Sequence, residues 1–301
     1  MPELAKRSQR FLWPSLAVPS FIWLGLFLAV PFYVVLCIAF GQVDPIFRTA
    51  IPAWNPLDWR FDQVAITIDR IVGPDNFYLP PILRTIAYVL IAVVASLIIA
   101  FPVAYYTARY AGKRKGLVLV LLVAPFWISY MMRMLAWVNL LQTDGWVNKV
   151  ISLGGLLPDE VNWLSGKPVT VIFGLIYGYV PYMILPLFAA LDRISPSLLE
   201  AARDLGAGGF DVFRRVVVPM SIPGIAAGCL LVALPMMGDY FTSDLLSGSP
   251  ETSMIGNLIN GSIQTPGQSG QAATLLLLVL LVLAAPMILY TRTVARSETR
   301  S

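Results

Sequence analysis

The chain has 301 residues, 57% of them apolar and 13% charged, with mean hydropathy +0.74 and a formal charge of +4. Soluble domains carry about 45–50% apolar and about 25% charged residues, so this composition belongs in a bilayer. With no histidine anywhere, His-based zinc sites and Ser-His-Asp or Cys-His catalysis are excluded together, and Cys37 and Cys229, both inside apolar runs, read as small buried hydrophobes.

Phe11–Phe40 is uncharged over 30 residues. A signal-peptide core is only about 7–15 residues, so a retained first span is predicted over Ser15–Ala39, behind a tail of residues 1–14. The outer loop 41–81 follows, with Trp54, Trp59, Phe61, Phe77 and Tyr78 among acids and prolines, the aromatic anchoring expected at a water boundary. Further spans are predicted over Thr85–Ala108, Leu117–Leu140, Val169–Leu191, Ile222–Leu246 and Ala272–Thr291, each near the ~20 residues that cross the hydrocarbon core. Between the third and fourth, WVNKVISLGGLL reads as a short interfacial helix too short to span. The expected fold is an all-α membrane protein, six transmembrane helices within 15–295, and a short tail at 296–301. Prolines 31, 102, 125, 181, 186, 235 and 286 put a kink in every span and suggest bent helices around a cavity.

Orientation follows from the basic residues. Lys6, Arg7, Arg10, Arg109, Lys113, Arg114, Lys115, Arg193, Arg203, Arg214, Arg215, Arg292, Arg296 and Arg300 fall on one set of alternate segments. The other side has Arg48, Arg60, Arg70, Arg84, Lys149 and Lys167 among nine acids that include Asp144, Asp159, Glu160 and Glu251. Both termini are therefore expected in the cytoplasm. The positive charge flanks membrane segments, so no nucleic-acid partner is expected.

The fourth loop is unusually structured for a connection. Ser195 followed by Pro196 is a helix start, with the serine hydroxyl expected to cap. Leu198, Leu199, Ala202 and Leu205 repeat at helical spacing as one apolar face, while Glu200, Arg203 and Asp204 point away; Ala201 and Ala202 keep the helix slim. Gly206, Gly208 and Gly209 end it, and Asp211 is expected to cap a second helix that carries Arg214 and Arg215 toward Pro219. Two readings stand: an interfacial helix without a partner, or a rigid knob that enters a groove of one.

Two charges lie inside spans. Arg133 is about 16 residues into the third and Asp239 about 17 into the fifth, which at 1.5 Å per residue puts both in the outer half at similar depth. Such charges face protein or water. Three roles are open: a structural Arg133–Asp239 salt bridge, a path for a cationic solute at Asp239 with Tyr240 and Asp244, or snorkelling of Arg133. Trp127, Tyr130 and Trp137 offer faces for an amine. Gly174/Gly178 and Gly224/Gly228 have the spacing of close helix packing. The chain has no G-x-x-x-x-G-K-[ST] phosphate loop; SGKP at 165–168 lacks its first glycine and hydroxyl.

The pattern Glu200-Ala-Ala-x-x-x-Gly206 followed by Val218-Pro219 resembles the EAA loop of ABC importer permeases, with valine where leucine is more usual. PFWISYMMRMLAW (125–137), GLIYGYVPYMILPLFAALDRISPSLLEAARDLGA (174–207), ALPMMGDYFTSDLLSG (233–248) and MIGNLINGSI (254–263) are similar to permease subunits of spermidine/putrescine importers. The resemblance spans roughly 85–291 and is weaker over the first 80 residues. It implies a non-catalytic permease of the bacterial inner membrane that pairs with a homologous second permease, two ATPase subunits and a periplasmic substrate-binding protein. It also implies that ATP and magnesium belong to the ATPases, and that Glu200, Ala201, Ala202, Asp204 and Gly206 form a coupling helix on them. Other small organic solutes remain open, as do an ion-coupled secondary transporter and a non-transporting assembly protein.

Overall fold

The computed structural model describes residues 2–153 and 161–298, with side chains from 17 to 292. Asp159, Glu160, Arg300 and the GGLL that ends the WVNKVISLGGLL stretch lie outside the described residues. The chain forms two compact units, one from the chain up to Asn76 with Ile259–Leu278, the other from Phe77–Leu258 with the chain from Val279 onward.

In the first unit, helix α1 runs through Pro2–Ala39, and its uncharged stretch Ala17–Ala39 is long and apolar enough to cross a membrane. Its large side chains from Phe21 to Phe32 are largely exposed within the chain, while Cys37 and Ala39 are buried at its end. The segment expected as an outer loop is more folded than a loop. Strands β1 (Gln42–Val43) and β2 (Ala50–Ile51) pair antiparallel, and the Asp44 carboxylate accepts from the Ile46 and Phe47 amides, both at 2.8 Å, to fix the turn. Phe40 stacks on Trp59 at 4.7 Å, and helix α2 (Asp62–Val72) is joined to the distant Gln271 by Arg70 at 2.8 Å.

The second unit opens with α3 (Leu79–Arg109), which starts upstream of the expected Thr85 because Pro80 and Pro81 sit where helix N–H groups have no partner anyway. The third predicted span is not one helix. Helix α4 (Lys115–Val123) passes into a tight turn at Ala124–Trp127, Ile128 and Ser129 are extended, and α5 (Tyr130–Leu141) leaves at 81°. Pro125 has no N–H with which to continue the ladder of α4. The stretch expected as an interfacial helix forms α6 (Trp146–Leu153), followed by α7 (Pro168–Asp192) and α8 (Pro196–Asp204).

A short α9 (Gly209–Val212) runs through a wide π-turn at Phe213–Val217 into α10 (Val218–Met237), where the Val218 amide donates to the Phe213 carbonyl five residues back. Pro219 cannot donate to the carbonyl four residues before it, and the wider turn accommodates that loss. The fifth predicted span, 222–246, is too long: the helix stops at Met237, and α11 (Phe241–Leu246) starts anew. Helices α12 (Ile255–Gln264) and α13 (Ser269–Glu298) complete the chain. Among the described residues five helices are long and apolar enough to cross a membrane, or six if the bent α4–α5 pair is one span.

Helix α7 is central to the second unit, packed along both α3 and α10, which also touch each other. Both glycine pairs serve as contact points. A Cβ at Gly224 would sit 2.2 Å from the Ala190 Cβ and one at Gly228 3.2 Å from Met183 Cγ, so α10 closes on α7 through these positions. Gly174 does the same for α11, with Leu246 Cδ1 at 2.3 Å.

Candidate coupling knob and buried carboxylate

Two constellations stand out, one on the surface and one inside. On the surface, α8 begins at Ser195 with Pro196 in its first turn. The expected serine cap is absent: the Ser195 hydroxyl accepts from Ser197 Oγ at 3.3 Å instead of from a backbone amide. The helix ends in a Schellman motif. Gly206 has φ +86°, its amide donates to the Arg203 carbonyl at 2.8 Å, and the Ala207 amide donates to the Ala202 carbonyl at 3.1 Å. A left-handed residue at that place is what makes glycine necessary. Gly208, not Asp211, occupies the cap position of α9; Asp211 lies in the first turn and pairs with Arg215 at 3.1 Å.

The apolar face expected on α8 is only partly packed. Leu199 is buried and Ala202 half-buried, but Leu198 is exposed and Leu205 is 89% exposed, as is Phe210 by 74% across the glycine turn. Glu200, Ala201 and Asp204 are exposed as well, and the Glu200 carboxylate has no side-chain partner among the described residues. The knob thus holds its shape through its backbone and leaves its side chains outward.

Inside, Asp239 is 6% exposed and fully provided with donors. Its Oδ2 accepts from Tyr130 Oη at 2.7 Å, Thr242 Oγ1 at 2.6 Å and Tyr179 Oη at 3.2 Å, and its Oδ1 accepts from the Thr242 amide at 3.0 Å. This last bond ties the first turn of α11 to the segment just past the end of α10. Gly178 makes room for the arrangement, since a Cβ there would lie 2.6 Å from Tyr130 Cε2.

Arg133 is equally buried at 6%, yet it does not pair with Asp239. Its guanidinium lies 4.1 Å from the centre of the Phe126 ring, with Tyr130 at 5.5 Å and Tyr177 at 5.9 Å, and Nε and Nη1 have no hydrogen-bond partner among the described residues. Both the salt bridge and the snorkelling reading are therefore replaced: aromatic faces hold the cation inside the fold. Trp137 is edge-on to Phe173 at 4.6 Å and lines an apolar cavity of ≈ 200 Å³ with Leu141, Ile151, Trp163 and Val169. Trp127 is 80% exposed and joins neither cluster.

Tyr240 and Asp244 form a separate, more open set past the end of α10. Tyr240 stacks on Phe241 at 4.1 Å, and Asn257 ties the set together by donating to the Asp244 carboxylate at 2.6 Å and the Tyr240 carbonyl at 3.1 Å. Asp244 is exposed, and its carboxyl is held above the usual carboxylate range by partial burial and by the Asp239 charge, against the opposing effect of Asn257. Sequence reasoning missed Tyr179, Thr242, Phe126, Tyr177 and Asn257. The run YGYVPY at 177–182 was the available sign that α7 presents hydroxyls and rings to a neighbour.

The sequence profile of the binding-protein-dependent transport system inner membrane components matches residues 100–298. The chain belongs to this family. It is 34% identical over 240 residues to the spermidine/putrescine transport system permease protein PotB of Escherichia coli, covering 79% of this chain and 81% of that one. PotB of Haemophilus influenzae is 34% identical over 266 residues, covering 87% and 88%, and the E. coli inner membrane ABC transporter permease protein YdcU is 36% identical over 228 residues, covering 72% of each. Among solved structures, a chain of a bacterial alginate ABC transporter in complex with its pentasaccharide-bound periplasmic protein aligns at TM-score 0.69 with 18% identity, covering 97% of this chain and 96% of that one. A chain of the MetNI methionine ABC transporter aligns at 0.53 with 18% identity, covering 72% and 94%. At such identities the two structures establish the fold alone, that of an ABC importer permease. The chain is an inner-membrane permease subunit of an ABC importer.

Proposed function

We propose that this permease pairs with a homologous second permease to form the translocation path for a small organic cation of the spermidine/putrescine class. Two ATPase subunits, holding ATP and magnesium, drive it, and a periplasmic binding protein delivers the solute. Both termini face the cytoplasm in this reading, as the basic residues on alternate segments indicate.

The observation that carries the coupling role is the outward knob. A helix fixed by a Schellman turn, with Leu205 and Phe210 exposed and Glu200 unpaired among the described residues, has the form of a surface that a partner completes. Nucleotide-driven closure of the ATPases moves the knob, and the bundle alternates between inward- and outward-open states. The solute class rests on the PotB likeness and on Asp244, whose exposed carboxylate next to the stacked Tyr240–Phe241 pair combines an anion with aromatic faces. Asp239, with Tyr130 and Arg133, serves in this reading as the frame behind that set rather than as a ligand, since its oxygens are occupied.

The test is ATPase activity of the assembled complex in nanodiscs, with binding protein added with and without spermidine. Gly206→Arg is expected to abolish the ligand-stimulated part while the complex stays assembled. Undiminished stimulation in this variant would remove the knob from the mechanism, and stimulation by a different solute but not spermidine would keep the knob and replace the solute.

A further inference from the structure

The knob hangs from the end of α7, and that end is gripped by another helix. Arg109, the last residue of α3, donates from Nη1 to the Ile194 carbonyl and from Nη2 to the Leu191 carbonyl, both at 2.9 Å. The last carbonyls of a helix lack the amide four residues on; Leu191 is one of them and accepts from Arg109 in addition to the Ile194 amide at 3.3 Å, and Ile194 lies just past the helix end. A guanidinium suits the place because its rigid fork meets two acceptors at once and its charge complements the negative end of the helix dipole. The side chains of Leu191 and Ile194 are themselves buried, so the gripped turn is packed from within as well as held from outside. Arg109 Nε is buried without a hydrogen-bond partner among the described residues, an unfavourable arrangement that the two carbonyl bonds offset.

A second tether runs in parallel. Lys115, at the start of α4, forms an ion pair with Asp192, the last residue of α7. Both sides of the α3–α4 turn are therefore attached to residues 191–194. Only Arg193, Ile194 and Ser195 separate Asp192 from the first residue of α8, and Ser195 is extended with ψ 138°. Left alone, that link would be a hinge, and a push on α8 would be absorbed there.

We propose that Arg109 is a positioning residue for energy coupling: its fork, with Lys115–Asp192 as a second tether, makes α8 and the α3–α4 turn move as one body. Displacement of the knob then reaches α3 directly as well as through α7. This inference rests on the knob being the ATPase contact, as proposed above.

The test uses the whole complex in nanodiscs. Cys37→Ala and Cys229→Ala remove the native thiols, and spin labels are placed at Lys113→Cys and, near the start of α8, Ser197→Cys, both exposed positions away from Leu205 and Phe210. With Arg109 intact, the inter-label distance is narrow and unchanged between nucleotide-free and ATP-bound states. Arg109→Gln broadens it and lowers transport per ATP hydrolysed about fivefold, the small end of usual coupling energies between sites. Arg109→Lys, which keeps the charge but loses the fork, falls between. An equally narrow distance in Arg109→Gln, or unchanged transport per ATP, overturns the inference.

Gly206→Arg measured alongside separates this from the knob reading. A narrow distance in Arg109→Gln with Gly206→Arg uncoupled overturns the clamp and leaves the knob standing. Full coupling in Gly206→Arg removes the knob reading and the coupling role of Arg109 with it, whatever the distances. If Arg109→Gln does not assemble, the second tether decides. Lys115→Asp and Asp192→Lys should each broaden the distance and restore it when combined, and narrow distances in both single variants overturn the inference.

Discussion

The knob after α7 and the carboxylate cluster beside α5 use the same kinds of side chain to opposite ends. At the knob the backbone of the closing turn is bonded and the side chains are not: Leu205 and Phe210 lie in the open and the Glu200 carboxylate has no side-chain partner among the described residues. Around Asp239 the side chains are complete, with four donors converging on one carboxylate. Exposed groups held on a rigid backbone await a partner, whereas a buried charge whose oxygens are all occupied fixes the relation between helices. In the reading proposed above, that difference is the one between a contact surface and a frame.

The contrast can be broken most directly at Gly206. Gly206→Arg should lower ligand-stimulated ATP hydrolysis at least about tenfold, equivalent to about 1.4 kcal/mol or more. The left-handed φ of +86° should add only about 1–2 kcal/mol of strain, read as a modest shift in Tm. A large Tm loss with normal stimulation would make the knob a structural element and erase the distinction.

At the frame the pattern should invert. Asp239→Ala leaves the Tyr130, Tyr179 and Thr242 donors without their acceptor and should cost about 2–3 kcal/mol, measured by thermal unfolding in detergent. Asp239→Asn, which retains one acceptor oxygen, should cost less. Uptake assays sharpen the point: a variant that loses uptake at unchanged Tm would turn Asp239 from frame into ligand. Gly178→Ala comes next, at about 1–2 kcal/mol, because its Cβ would press on the Tyr130 ring unless the ring moves away from Asp239.

The smallest expected effect is a pH dependence at Asp244. Its carboxyl is raised in the fold, so the native state binds the proton more tightly than the unfolded chain. The stability this contributes is fully present below the ordinary value of 3.8 and is lost as pH rises through the raised one. Asp244→Asn should flatten that decline in a series of Tm values against pH, and an unchanged slope would assign it to another group.

How much of this was legible in the sequence differs between the two regions for a physical reason. The knob is written in local terms, since Ser-Pro starts a helix, alanines keep it slim and a glycine ends it through backbone geometry alone. What failed there was the part that depends on distant neighbours: the serine hydroxyl found Ser197, and the predicted apolar face has only Leu199 buried. The frame is nonlocal throughout. Depth along two spans placed Arg133 and Asp239 at one level, but depth carries no information about rotation, and beyond the break before α5 the two side chains share Tyr130 without pairing. Pro125 was visible, yet Pro181 and Pro186 lie inside an uninterrupted α7. Which proline breaks a span is decided by the helices around it, not by the residue.

The wide turn at Phe213–Val217 has a consequence for how sequences of this kind can change. One extra residue in a helical path rotates everything before it by about 100° relative to everything after it. The direction in which α9 and the glycine turn meet the membrane helix is therefore set by a residue count. Deleting a single valine from Val216–Val218 would leave composition and hydropathy almost untouched and swing the approach by more than a quarter turn. In this stretch a point substitution is a small perturbation, and a one-residue gap is a change of heading.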